Sequence, residues 1–117
     1  MMKEITKKIE YKGNEYKLVF NLNVMEEIQN KYGTVAHWGE ITDGGKKNEP
    51  NIKALRFGIT CMINEGIEID NDEKGTDTPL LTEKQVGRII SELGIEEVAE
   101  QMQSAVVDST KSSEKNS

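Results

Sequence analysis

Apolar and polar residues alternate with period two at the start of the chain. Ile5, Ile9 and Tyr11 are separated by charged or polar residues, and so are Tyr16, Leu18, Phe20 and Leu22. That period predicts two strands with one buried and one wet face. Gly13-Asn14 between them predicts a two-residue hairpin turn. With that pair at the tip, Lys12 faces Glu15, Tyr11 faces Tyr16, Glu10 faces Lys17 and Ile9 faces Leu18, so apolar pairs and opposite-charge pairs segregate to opposite faces. The apolar face, Ile9, Tyr11, Tyr16, Leu18 and Phe20, is the one expected to be buried.

The period then changes to that of a helix. Residues 23–32 predict a first helix with Asn23 as N-cap, Glu26 three residues on, an apolar stripe of Leu22, Met25, Ile28 and Tyr32, and Gly33 as stop. A short helical turn over 35–41 holds His37 and Trp38, and 42–50 reads as a polar loop. In residues 51–65 the polar positions Lys53, Arg56, Thr60 and Asn64 form one narrow stripe, and everything between is apolar or small. A helix apolar nearly all round is a buried one. Gly66 is read as its end, followed by an acidic loop over 67–81. Thr82 with Gln85 opens a fourth helix bearing Val86, Ile89, Ile90 and Leu93. After Gly94 a last helix carries Val98, Met102, Ala105 and Val106. The expected fold is α+β, an N-terminal hairpin packed on a bundle of four to five helices. It spans 1–107 as a single domain, and 108–117 is a polar tail too hydrophilic to repay the entropy of ordering.

Charge narrows the function classes. The chain has 117 residues and a formal net charge of −6. Six acids (Glu65, Glu68, Asp70, Asp72, Glu73, Asp77) face one base, Lys74, within a single segment. A nucleic-acid binder displaces counterions with a basic surface, and this sequence offers none. No run approaches the ~20 apolar residues of a membrane span. The first six residues lack a secretory apolar run, so a reducing cytoplasm is the expected compartment.

Asp70-x-Asp72-x-x-Gly75 matches the opening of an EF-hand loop, but Lys74 stands where a ligand belongs and Leu81 where a bidentate Glu is required. His37 has no second ligand near it in the pattern. Cys61, the sole cysteine, sits in an apolar helix where a thiol is usually a small core hydrophobe. Neither suggests a catalytic dyad, and the glycines form no phosphate-binding loop. No catalytic, cofactor-binding or metal-binding residues are expected.

Read in order, these pieces resemble a known family. The apolar strand Leu18-Val19-Phe20 leads into a helix with Glu26-Glu27 that ends on Tyr32-Gly33. An apolar helix with Leu55-Arg56 near its start follows, and then Leu81-Thr82-Glu83-Lys84-Gln85-Val86-Gly87. Over residues 11–106 this is similar to the tail assembly chaperones of long-tailed bacteriophages, prophages and gene transfer agents. The resemblance implies a protein that holds the helical tape measure protein in the host cytoplasm, recruits tail tube subunits and is absent from the mature virion. It implies no catalytic residues and fixes no partner-binding ones. A structural tail protein, of the tube or completion type, is the alternative. From the helical pattern itself, the side of the third helix carrying Ala54, Phe57, Gly58 and Cys61 is the candidate surface for the tape measure or for self-association, because Leu55, Ile59 and Met62 on the other side can meet the hairpin and fourth helix.

Overall fold

Residues 7–43 and 49–115 are described by the structure, a computed structural model, with side chains described through Ser109. Ile5 and residues 44–48 of the polar loop lie outside the described residues. An antiparallel hairpin, β1 (Lys7–Tyr11) and β2 (Asn14–Leu18), is followed by five helices: α1 (Leu22–Tyr32), α2 (Val35–Thr42), α3 (Ile52–Lys74), α4 (Glu83–Leu93) and α5 (Ile95–Lys115). The α+β architecture is the expected one, and α3 is its axis. β2 and α4, α1 and α2 all pack on α3, while α5 packs on β1 and α4. Val24, Ile28, Leu55, Ile59, Met62, Val86, Val98 and Met102 belong to one continuous core.

The hairpin turn sits one residue earlier than the sequence predicts. Lys12 and Gly13 occupy it with φ of 50° and 82°, the two positive values that a type I′ turn requires. Glycine thus takes the second turn position rather than the first. Tyr11 now faces Asn14, Glu10 faces Glu15, Ile9 faces Tyr16, Lys8 faces Lys17 and Lys7 faces Leu18. Both registers put the same side chains on the apolar face, so burial could not choose between them. The expected opposite-charge pairs are replaced by a diagonal pair, Lys8 with Glu15 at 3.5 Å. Ile9, Leu18 and Phe20 are buried, and Tyr11 and Tyr16 are partly so.

Three helix boundaries also move. Asn21, not Asn23, caps α1, its side chain accepting from the Val24 amide at 3.2 Å. That phase turns Val24 and Ile28 inward and leaves Leu22 exposed rather than in the core. The third helix does not stop at Gly66. It runs on to Lys74 and ends at Gly75 in the left-handed region, φ 68°. Most of the acidic segment is therefore helix, and Asp70 and Asp72 lie on helical backbone rather than in an EF-hand loop. Gly66 is buried because β2 lies against it: a Cβ there would meet the Lys17 carbonyl oxygen at 3.1 Å. The Val19 amide also donates to the Met62 carbonyl at 3.3 Å. Finally, α5 continues to Lys115, beyond the boundary at 107 that polarity suggests. Asp108 pairs with Lys7 at 3.8 Å, and the Ser109 hydroxyl donates to the Phe20 carbonyl at 2.8 Å.

Beyond Lys53, which is exposed, the polar stripe of α3 is turned toward α4 rather than water. The Asn64 amide donates to the Leu81 carbonyl and accepts from the Leu81 amide, at 3.0 and 2.9 Å. This fixes where the chain enters α4. There Thr82 and Gln85 form the expected capping box, each side chain bonding the other's backbone amide. Arg56 Nε lies 3.4 Å from Glu83, near enough for charge attraction but without hydrogen-bond alignment.

Candidate partner-binding face of the third helix

Ala54, Phe57, Gly58 and Cys61 share one side of α3 as the helical period requires, but the fold treats them in two ways. Ala54 and Gly58, one turn apart, form a shallow seat for the indole of Trp38. The ring lies so close that a Cβ at Gly58 would come within 2.3 Å of Trp38 Cζ2. The indole N–H donates to the Ala54 carbonyl at 3.0 Å, which satisfies its polar edge inside the core. Phe20 stacks over Trp38 nearly parallel, with ring centroids 6.3 Å apart. Thr42 closes α2 over this cluster by donating to the Trp38 carbonyl at 2.9 Å. Ala54 and Gly58 are thus core residues covered within the chain, which corrects their assignment to a partner surface.

Phe57 and Cys61 remain at the rim, both partly buried. The Tyr32 ring meets Phe57 edge-on at 5.8 Å, and Lys31 Nζ stands 5.0 Å from the Phe57 ring centre, a favourable cation–aromatic distance. Beside them Glu26, Glu27, Asn30, Lys31 and Phe57 border a shallow depression wide open to solvent. The Cys61 thiol donates to a Glu27 carboxylate oxygen at 3.4 Å. Burial, then that hydrogen bond and the negative charge of Glu27, push its pKa up to about 12. Nucleophilic attack and metal ligation need the thiolate, and this site holds the thiol neutral at physiological pH. Tyr32 is raised too, by burial first and then by the negative charge of Glu83. His37 is exposed on α2, and Glu27 of α1 is the thiol's partner.

A second concavity was not anticipated. Ile52 and Arg56 of α3, the side of α4 from Lys84 through Gly87 and Arg88 to Glu92, Ile95 of α5 and Tyr11 of β1 border an open groove of about 580 Å³. The available signal was Lys84 and Arg88, two cations one helical turn apart on the polar side of α4. Its apolar walls could not be foreseen, because they come from the first residues of two different helices. Among the described residues no group of three or more His, Cys, Asp or Glu is placed to hold a metal ion. No helix among them is long and apolar enough to cross a membrane. No protein-family model, curated protein or solved structure matches this chain.

Proposed function

We propose that this protein is a phage tail assembly chaperone that binds the tape measure protein and recruits tail tube subunits in the host cytoplasm, without catalysis and without joining the finished virion. The observation that carries the reading is how the resembling segments combine. The strand and helix ending at Tyr32-Gly33, the apolar helix and the Thr82-capped helix are β2–α1, α3 and α4, and they share one core. Proteins that shield a long amphipathic helix need a groove between their own elements, and α3 is flanked by a shallow open depression on one side and a groove on the other. On this reading Phe57, with Cys61 behind it, is the apolar contact of the depression.

Co-expression with a candidate tape measure protein, a long helical reading frame to be sought beside its gene, tests the proposal. The expected result is co-purification of the two, and loss of the complex on Phe57→Glu while circular dichroism still reports a folded chain. A wild-type chain that leaves the helical protein insoluble and unbound would overturn the chaperone reading. Finding the chain at subunit stoichiometry in purified virions by mass spectrometry would instead favour the structural tail protein.

A further inference from the structure

The fifth helix is held in two unlike ways. Val98, Met102 and Ala105 are buried in the core. Among the described side chains beyond Ala105 none is buried, and Val107 is 51% exposed. Two polar contacts fasten this end. Asp108 reaches Lys7 at 3.8 Å, with 30% and 34% of the two side chains exposed, and the Ser109 hydroxyl donates to the Phe20 carbonyl at 2.8 Å. So open an ion pair contributes little, and one neutral hydrogen bond only modestly more.

The surface beneath is apolar. Lys7 stands opposite Leu18 and two residues before Ile9, so all three share the inner face of the hairpin. Ile9 and Leu18 are buried there, and so is Phe20, which stacks on Trp38. The end of α5 is therefore laid on the inner side of β1. It brings an acid to Lys7 and a hydroxyl to the Phe20 carbonyl, but no buried apolar side chain among those described. A surface already occupied by a helix has the shape for one. A helix offering the same two polar groups and an apolar face as well would fit it better.

We propose that the turns of α5 from Val106 onward are a clasp that opens while the core stays folded, and that the bared inner side of β1 and Phe20 then seat an amphipathic helix of a partner protein. The partner's carboxylate takes the place of Asp108 at Lys7, and its donor takes the place of Ser109 at the Phe20 carbonyl. Its apolar residues cover the hairpin. Closed, the clasp is autoinhibitory: the apparent affinity for the helix is lowered by the fraction of chains that are open. Only the naming of that helix as the tape measure protein rests on the tail-assembly reading.

Amide exchange and Nile red binding by the full chain test the clasp. Asp108→Asn/Ser109→Val removes the charge and the hydroxyl while leaving helix propensity nearly unchanged. Neither side chain belongs to the surface that opening bares. Amides of residues 106–109 should exchange at least fivefold faster than in wild type, while those of Val98 and Met102 keep their rates, as a local opening requires. Nile red, which fluoresces on apolar surface, should bind more tightly by the same factor, because both measurements read the open fraction. Equal rates in variant and wild type overturn the proposal. So does acceleration that extends to Val98 and Met102, since the whole helix then lets go. Acceleration without added dye binding overturns it too, since the turns then cover nothing apolar. Co-expression with the tape measure candidate reads the partner, and capture should tighten in the variant by that factor as well. Unchanged capture beside a rise in exchange and dye binding overturns the autoinhibitory role and leaves the chaperone reading standing. A chain that captures no tape measure candidate in either form overturns the chaperone reading alone, because exchange and dye binding report the clasp without it.

Discussion

The two stretches of α3 on either side of Gly66 are one helix under opposite conditions. From Ala54 to Gly66 the helix is surrounded: Trp38 lies on the Ala54–Gly58 side, β2 lies at Met62 and Gly66, and α4 lies on the polar stripe. From Ile67 to Lys74 it has no fully buried residue and is held by polar contacts, chiefly Lys17 Nζ to Asp70 at 2.7 Å and Asn71 to the segment beyond. Packing makes the first stretch helical whatever its propensity. The second continues because it adds one backbone hydrogen bond per residue to a nucleus already formed. A helix can thus extend well past the apolar pattern that betrays it.

Substitutions should separate the two stretches sharply. Trp38→Ala empties the seat on Ala54 and Gly58 and leaves Phe20 without its stacking partner, so a loss of about 3–5 kcal/mol is expected in denaturant unfolding. If the domain lost less than about 1 kcal/mol, the indole would not be the wedge between α2 and α3. Gly58→Ala should cost about 1–3 kcal/mol although alanine is the better helix former, because the new methyl collides with a ring held on several sides. A stabilised Gly58→Ala protein would show that Trp38 moves freely.

In the second stretch the effects should be local. Asn71→Ala removes three hydrogen bonds from an exposed segment. Amide exchange at Thr78, whose N–H the Asn71 side chain accepts, should accelerate at least tenfold while the global melting temperature changes little. An equal drop in both would mean that the acidic turns belong to the main cooperative unit. The smallest effect concerns acid. The hydrogen bond from Lys17, aided by the positive charges of Lys17 and Lys74, holds the Asp70 carboxyl below its ordinary value of 3.8. A depressed folded pKa contributes stability above the unfolded value, and that contribution is lost as pH falls through the folded one. Fraying of the last turns of α3 should therefore set in below about pH 3.8. Asp70→Asn should remove the part of that pH dependence that comes from the Lys17 pair, which backbone amide chemical shifts can follow. The pair lies at the surface, partly buried but in reach of solvent, so the core should not register the change.

Much of the architecture was legible from local signals. The hairpin, the stops at Gly33 and Gly94 and the capping box of Thr82 and Gln85 each depend on neighbouring residues alone. The errors arose where a distant residue decides. Gly66 after an apolar run reads as a stop, but its missing side chain makes room for the Lys17 carbonyl, 49 positions earlier (66 − 17). Asn23, with Glu26 three residues on, is the better cap by local pattern, yet the helix that buries Val24 and Ile28 starts at Asn21. The hairpin register was ambiguous because both alternatives keep the same face apolar, leaving turn geometry to decide. For the candidate site the helical period put Ala54, Phe57, Gly58 and Cys61 on one side correctly. It could not show that α2 returns across half of that side, because Trp38 finds its seat only in three dimensions.

The bond from Ser109 to the Phe20 carbonyl spans 89 positions and, with Lys7–Asp108, ties the earliest-made strand to the latest-made turns. During synthesis at about 5–20 residues per second, β1 and β2 leave the ribosome on the order of 10 s before the part of α5 that fastens them. Through that interval the nascent hairpin is held by β2 on α3 alone, once α3 has appeared. The order of translation therefore sets a waiting time into the fold. A ribosome that pauses in the codons after Met102 would prolong it, leaving β1 without the helix that packs on it.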